Sequence, residues 1–348
     1  MHQKNIGHRF IFDFPDHAWF KELSGMRKSA YTLIKEENSS EVWELHLKPS
    51  RDRSNIFGYL IKSREVERIV REQQENLLRQ RRLPLVLDLD DTLVRLVGNS
   101  QDRYVKEHEA SLVQDRVCDL GDGRRVVMTE RLDEFLDWAS KYYEISVCSL
   151  GDQNYVDMVC AAIDPHHNRI RGINYSARQE YEYIQRTAPH GAGTDRPSRP
   201  PKDLLALYTF CTLGNSPAQN YCLPLIVDDM TSMWPPEQHD NIIVVKERRK
   251  SPNANGGGST ENGGENGANN VWTVNLFPLV QQVLAHVHQE FFRQMDLHRA
   301  GQQPHPPSAR VIYKEWLRNY LRDHIARTSG PPMSVPQPGL PLNPAGQP

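Results

Sequence analysis

The sequence predicts an α/β fold: a mainly parallel sheet flanked by helices, with no large cap domain. Three observations predict it. Short apolar runs at residues 85–87, 144–148, 223–227 and 241–245 read as strands buried on both faces, as parallel strands are. Stretches with helical spacing of apolar residues alternate with them, the pattern of βα units. Only residues 93–148 separate the tips of the first two strands, and a hairpin, a helix and a strand already account for most of that length, so little is left for a lid.

Taken in order, residues 1–62 mix aromatic and charged side chains, with candidate strands at 10–14 and 41–47 and no function that can be assigned. Residues 63–82 carry Val66, Ile69, Val70 and Leu77 at core spacing among many Arg and Glu, which predicts a helix leading into the first buried strand. Segments 117–120 and 124–128 flank Gly121-Asp122-Gly123, a hairpin signal. A helix is expected at 132–142, with Phe135, Leu136 and Ala139 inward, and another at 155–163. Residues 187–201, rich in Pro, Gly, Arg and Ser from 189 onward, read as a flexible insertion, followed by a helix at 202–210. The stretch 250–270 is almost entirely Gly, Asn, Ser and Glu and predicts a second, disordered insertion. Leu276, Leu279, Val280, Val283, Leu284, Val287 and Phe291 give a helix at 276–295 that should dock back on the sheet. The expected domains are therefore 1–62, a catalytic-type domain at 63–295, a helical segment at 296–327 and a disordered Pro-rich tail at 328–348.

The 348 residues carry 42 basic and 44 acidic side chains, a net charge of −2, so no direct nucleic-acid binding is expected. No run of eighteen or more apolar residues occurs and the first residues are polar, so neither a membrane span nor a secretory signal is expected. Cys118, Cys148, Cys160, Cys211 and Cys222 lack the close paired spacing of a zinc site or disulfide framework and read as small core residues.

The chemistry is concentrated at strand ends. Asp88 closes the first buried strand, where open α/β sheets bind ligands. A carboxylate there can hold a divalent cation with one oxygen and attack phosphorus with the other, forming an aspartyl-phosphate. Asp90 can protonate the leaving oxygen and then deprotonate the attacking water, and Thr92 can fix the turn by hydrogen bonding, within reach of a bound phosphate. Ser149 at the tip of the second strand can bind phosphate oxygens together with the amides of Leu150 and Gly151. Lys202, opening the expected helix, can neutralise charge on phosphate and on Asp88. Asp228 and Asp229, ending the third strand, can complete the shell of a hard cation such as Mg²⁺. Each has a plain alternative: Ser149 as a cap, Lys202 as a solvated charge, the Asp pair as a turn. All of them in this order, each at its own strand or helix end, favour phosphoryl transfer.

The order resembles that of the haloacid dehalogenase superfamily, and the flanking residues resemble the phosphatases of the RNA polymerase II C-terminal domain. Leu85-Val86-Leu87-Asp88-Leu89-Asp90-Asp91-Thr92-Leu93 looks like their first motif. The run from Tyr143 to Ser149, continuing to Gly151-Asp152, Tyr155 and Ile163-Asp164-Pro165, resembles the second, and Lys202-Asp203-Leu204 the third. Asp228-Asp229 with Trp234, together with His288-Gln289-Glu290-Phe291-Phe292, is more like the TFIIF-associating branch than the small-phosphatase branch. The resemblance covers about residues 63–292. It implies a Rossmann-like haloacid dehalogenase fold, with Asp88 as nucleophile, Asp90 as acid/base, and Ser149 and Lys202 as phosphate contacts. It also implies Mg²⁺ held by Asp88, the Asp90 carbonyl, Asp228 and Asp229, a nuclear location, and as partners the phosphorylated polymerase tail and the general transcription factor TFIIF. Ser149 stands where threonine is usual and Arg95 where histidine is common. The residues after Met295 are too few for the BRCT domain of the large branch.

A site without a lid suits a phosphoserine in an extended segment better than a small metabolite, which needs enclosure. The expectation is a Mg²⁺-dependent protein serine/threonine phosphatase. The alternatives are a small-molecule phosphatase and a non-catalytic tethering protein on the same fold.

Overall fold

The computed structural model describes residues 31–35, 40–49, 56–98, 104–178, 200–212, 220–245 and 277–328. The candidate strand at 10–14, most of the 187–201 insertion, the 250–270 stretch and nearly all of the Pro-rich tail lie outside these residues.

The first described residues form a three-stranded antiparallel sheet from β1 (Tyr31–Lys35), β2 (Val42–Pro49) and β3 (Ile56–Lys62). The last strand runs without a break into α1 (Ser63–Arg79), where Lys62 pairs with Glu41 of the β2 approach. Val70, Leu77 and Leu78 of α1 are buried, while Arg68 bridges Glu65 and Glu72 on the solvent face, one turn to either side. The helix ends three residues short of the expected 82, because Arg81 takes a positive φ of 54° and turns the chain into the sheet.

β4 (Leu83–Leu87) follows, every residue of it buried, as a central parallel strand requires. It pairs on one side with β8 (Tyr143–Ser149) and on the other with β10 (Leu225–Asp228). β9 (Asn174–Ser176) and β11 (Ile242–Val244) are the edges, and the order β11-β10-β4-β8-β9 is parallel throughout. From β4 the chain winds outward through β8 and β9, then returns to the opposite side for β10. The winding direction therefore reverses between β4 and β10, and the crevice at their carboxyl ends is where such sheets take ligands.

Between β4 and β8 lie β5 (Val94–Leu96), the single turn α2 (Glu107–Ala110), β6 (Val117–Asp119), β7 (Arg125–Met128) and α3 (Leu132–Tyr142). The expected hairpin is present, and β5 adds to it to make a small antiparallel sheet, β5-β7-β6. Phe135, Leu136 and Ala139 of α3 face inward as their spacing predicts. α4 (Gln153–Ile163) is capped by Asp152, which accepts from Tyr155 N–H at 2.9 Å. α5 (Phe277–Arg299) docks back on this layer: Phe277 stacks on Phe135 at 4.4 Å, and Tyr143 Oη donates to Leu284 O at 2.7 Å. After Gly301 (φ 73°) and a segment rich in proline, α6 (Ala309–Thr328) starts with Ala309, Ile312 and Tyr313 buried in the same core. The expected helical segment at 296–327 is thus the end of one helix and most of another.

Two expectations need correction. Residues 202–210 form no α-helix; they make 3-10 turns at Leu204–Ala206 and Thr209–Thr212. Leu204, Ala206, Leu207, Tyr208, Phe210 and Cys211 are all buried, so the segment has no polar side to present to water, and Asp203 breaks it by accepting from Leu205 N–H. β9 was not expected at all, since Asn174-Tyr175-Ser176 lacks an apolar run. Cys148, Cys160 and Cys211 are buried and Cys118 and Cys222 half-buried, all five as free thiols. Among the described residues no helix is long and apolar enough to cross a membrane.

Candidate active site

The parallel ladder carries on past β4 into Asp88, whose N–H donates to Val227 O at 3.0 Å. The chain then folds on itself. Thr92, Leu93 and Val94 all donate their N–H groups to Leu89 O, Asp91 adopts a positive φ of 60°, and buried Leu89 and Leu93 anchor the loop. Two carboxylates one residue apart therefore face different surroundings. Asp88 stays at the strand tip, 4% exposed, and Asp90 is carried out to the side of the crevice.

Asp88 sits on a buried cation. Lys202 Nζ donates to Asp88 Oδ1 and to Asp228 Oδ2, each at 2.7 Å, and only 2% of Lys202 is exposed. Its backbone is fixed by a bond from Lys202 N to Met233 O, and the next residue is locked by Gln238, whose amide bonds Asp203 Oδ1 and the Leu204 N–H. Asp228 is fully buried, and both of its oxygens are engaged: Oδ1 by Met230 N–H at 2.7 Å, Oδ2 by Lys202 and by Trp234 Nε1 at 2.9 Å. Thr92 Oγ1 donates to Asp88 Oδ2 at 3.3 Å, and Thr129 in turn donates to Thr92 O.

Burial pushes the Asp88 carboxyl well above the usual carboxylate range; Lys202 opposes this, and the neighbouring Asp228 and Asp90 add to it. Burial also works against the Lys202 charge, but Asp88 and Asp228 outweigh it and hold the ammonium above the ordinary lysine range. One ammonium thus serves several carboxylates.

Asp90 is held differently. Its Oδ1 accepts from Tyr155 Oη at 2.6 Å and its Oδ2 from Ser149 Oγ at 3.3 Å. Burial raises the Asp90 carboxyl, with the Tyr155 bond opposing. Burial, then the Asp90 charge, raises the Tyr155 phenol.

Asp88, Asp90, Lys202 and Asp229 line a cleft of about 630 Å³, together with Arg95, Tyr104, Arg124 and Arg178 on its walls. Thr92, Ser149 and Asp228 stand behind that lining rather than in it. Ser149 is fully buried, and its hydroxyl accepts from Gly151 N–H at 3.0 Å. The Gly151 amide expected to meet phosphate is therefore taken up by Ser149 itself, a correction with a local cause: the chain turns so tightly after β8 that the two groups meet.

Asp88, Asp228 and Asp229 each bring a carboxylate oxygen to within 4.8 Å of the others. This all-oxygen set, partly buried and at the cleft floor, fits a hard divalent cation such as Mg²⁺. The sequence reading gave no role to Tyr155, Trp234, Gln238 or Arg124. Tyr155 and Trp234 stood inside quoted motifs, but a contact 65 residues long in sequence, such as Tyr155 to Asp90, has no periodic signal.

Residues 83–250 match the family described as NLI interacting factor-like phosphatase. Over 195 residues the chain is 29% identical to RNA polymerase II C-terminal domain phosphatase-like 4 of Arabidopsis thaliana, covering 52% of this chain and 38% of that protein. It thus spans about two fifths of that relative's length. Among solved structures, Fcp1, an essential RNA polymerase II CTD phosphatase, is 16% identical with a TM-score of 0.47, covering 71% of this chain and 73% of its own. A variant of the fission yeast Fcp1 bound to beryllium fluoride gives 16% and 0.43, with 71% and 74% covered. The family match begins at the first residue of β4 and takes in Asp88 and Asp228 at the reversal point of the parallel sheet, so through residues 83–250 the chain is similar to the NLI interacting factor-like phosphatases.

Proposed function

We propose that this protein is a Mg²⁺-dependent serine/threonine phosphatase that works through an aspartyl-phosphate on Asp88 and acts on the phosphorylated heptad-repeat tail of RNA polymerase II. The observation that carries the reading is the contrast between two carboxylates: Asp88 is fixed on Lys202 at the cleft floor, and Asp90 is held by Tyr155 at the side. That is the arrangement a nucleophile and a proton donor need.

Asp88 attacks phosphorus as the bond to the seryl oxygen breaks, and Asp90 delivers its proton to that oxygen. Lys202 keeps Asp88 oriented and offsets the negative charge gathering at the floor. In the second half Asp90, now a carboxylate, takes a proton from the water that attacks the Asp88-bound phosphorus. Asp88, Asp228 and Asp229, with the Asp90 carbonyl, would hold Mg²⁺, which when bound polarises the phosphate and neutralises the repulsion among the carboxylates. Asp228, with both oxygens already engaged, acts chiefly by holding Lys202 and shaping that shell.

The substrate class rests on shape and on relatives. The cleft holds about 630 Å³ and, among the described residues, the segment between β4 and β8 sets the small β5-β7-β6 sheet beside it and no separate cap domain, which leaves room for an extended phosphopeptide. The Arabidopsis relative carries the polymerase tail in its name. A nuclear location follows from that substrate. TFIIF finds no support among these relatives. The catalytic unit so proposed runs from 63 to 295, with 1–62 and the α6 segment as additions to it.

The test is phosphate release from phosphorylated heptad peptides, phosphosugars and nucleotides, with Mg²⁺ and with a chelator. Release from the heptad peptides, abolished by chelator and restored by Mg²⁺, is expected. Preference for phosphosugars would make it a small-molecule phosphatase, and no release from any substrate would leave the tethering role.

A further inference from the structure

Tyr155 is held on three sides. Its N–H is bonded to Asp152 at the start of α4, and its hydroxyl lies 2.6 Å from Asp90 Oδ1. The Arg124 guanidinium, from the loop before β7, lies over its ring at 4.9 Å from the centroid and is itself steadied by Asp122 at 2.6 Å. On the Gly151 side the packing leaves no room for a side chain: a Cβ on Gly151 would fall 2.4 Å from Tyr155 Cδ1. A ring confined between a glycine and a stacked guanidinium can place its hydroxyl in only one spot.

The two Asp90 oxygens are consequently unequal. Oδ1 has a short bond to a phenol, whereas Oδ2, among the described residues, has the 3.3 Å contact with Ser149, at the weak limit of a hydrogen bond. We propose that Tyr155 is a positioning residue for proton transfer: by binding Oδ1 it leaves Oδ2 to carry the transferred proton, and it holds that oxygen toward the leaving group. The proposal rests on Asp90 being the acid/base. In the first step the proton leaves Oδ2 for the seryl oxygen as the phosphorus–oxygen bond breaks and the Asp88–phosphorus bond forms. In the second, Oδ2 takes a proton from the attacking water as the Asp88–phosphorus bond breaks. Tyr155 keeps its own proton throughout and acts through Asp90. Arg124 and Gly151 act one step further out, through the ring.

The test compares Tyr155→Phe, Gly151→Ala, Asp90→Asn and the double variant Asp90→Asn with Tyr155→Phe, each with Mg²⁺ on a phosphoserine heptad peptide and on 4-nitrophenyl phosphate. The aryl leaving group needs little protonation, so it reports everything except proton delivery. Tyr155→Phe should lower kcat on the peptide about ten- to a hundredfold, the value of one hydrogen bond to a charged group, with KM and the aryl rate nearly unchanged. Gly151→Ala should show the same selective loss, and the double variant should be no slower than Asp90→Asn alone. Tyr155→Phe removes a single oxygen, so it carries the test even if Gly151→Ala fails to fold.

Equal losses on both substrates, a change confined to KM, or additive losses in the double variant would show that Tyr155 only packs the wall, and would overturn the proposal. If Asp90→Asn itself shows no peptide-selective loss, or the wild type hydrolyses neither substrate, the acid/base reading fails instead, and the proposal with it.

Discussion

The floor and the wall of the cleft are built on opposite plans. The floor is Asp88, Lys202, Asp228 and Trp234: all buried, all tied to strand ends, and joined by bonds of 2.7–2.9 Å through one ammonium. The wall is Asp90, Tyr155 and Arg124, drawn from a loop, the first turn of a helix and the edge of a small sheet, with Arg124 more than a third exposed. Charge at the floor is part of the folded core, so disturbing it should cost stability as well as turnover. Of the three wall residues only Arg124 is substantially exposed, so changes to it should alter turnover with little effect on folding.

The strongest test of this contrast is Lys202→Ala. It leaves Asp88 and Asp228 buried without their counter-charge, and breaking a buried pair in this way costs about 3–5 kcal/mol. Denaturant unfolding in chelator should show that loss, together with loss of turnover; an unchanged midpoint would mean that the floor is not stabilised by its ammonium.

Asp88→Asn separates the two effects. Turnover should fall to background because an amide is a very poor nucleophile, but thermal stability in chelator should hold or rise. The sign follows from the raised Asp88 pKa: the folded state holds this proton to higher pH than the unfolded chain, so wild-type stability should fall as pH rises above the ordinary carboxylate range. Asp88→Asn should remove that part of the slope. A slope identical in both proteins would assign it elsewhere.

Trp234→Phe removes one of the donors to Asp228 Oδ2 while Lys202 remains, so a stability loss of about 1–3 kcal/mol is expected, read from the unfolding midpoint. A loss as large as that of Lys202→Ala would place the indole, not the ammonium, at the centre of the floor.

Arg124→Ala should have the smallest effect on folding, within about 1 kcal/mol, as for other exposed ion pairs. Its effect should appear instead as slower turnover of an alkyl phosphate. A destabilisation beyond 2 kcal/mol, on the order of a buried contact, would blur the distinction between floor and wall.

The floor was far more legible in the sequence than the wall, for the same physical reason. Asp88, Lys202 and Asp228 lie at or beside the ends of buried apolar runs, and such runs can be recognised one residue at a time. The helix 132–142 was recovered to the residue because its apolar face is periodic. Tyr155 meets Asp90, and Arg124 meets Tyr155, only through tertiary folding, and the Gly151 contact depends on where one ring lies, so no local pattern announces them. The segment after Lys202 misled for the opposite reason: Leu204, Leu207 and Tyr208 look helical, yet burial all round leaves two 3-10 turns. Ser149 was placed at the right strand end, but its hydroxyl turned inward to Gly151 and Asp90.

The bond from Asp88 N–H to Val227 O makes the amide of the proposed nucleophile a rung of the central β4–β10 ladder. Its hydrogen cannot reach solvent unless those two strands part, an event that opens the middle of the sheet. In hydrogen–deuterium exchange the Asp88 amide should therefore be among the slowest in the protein, exchanging only with global unfolding, while amides of the β5-β7-β6 sheet exchange through smaller openings. On the proposed function, local fluctuation could then admit and release a long peptide at the cleft's edge without loosening the carboxylate proposed to attack it.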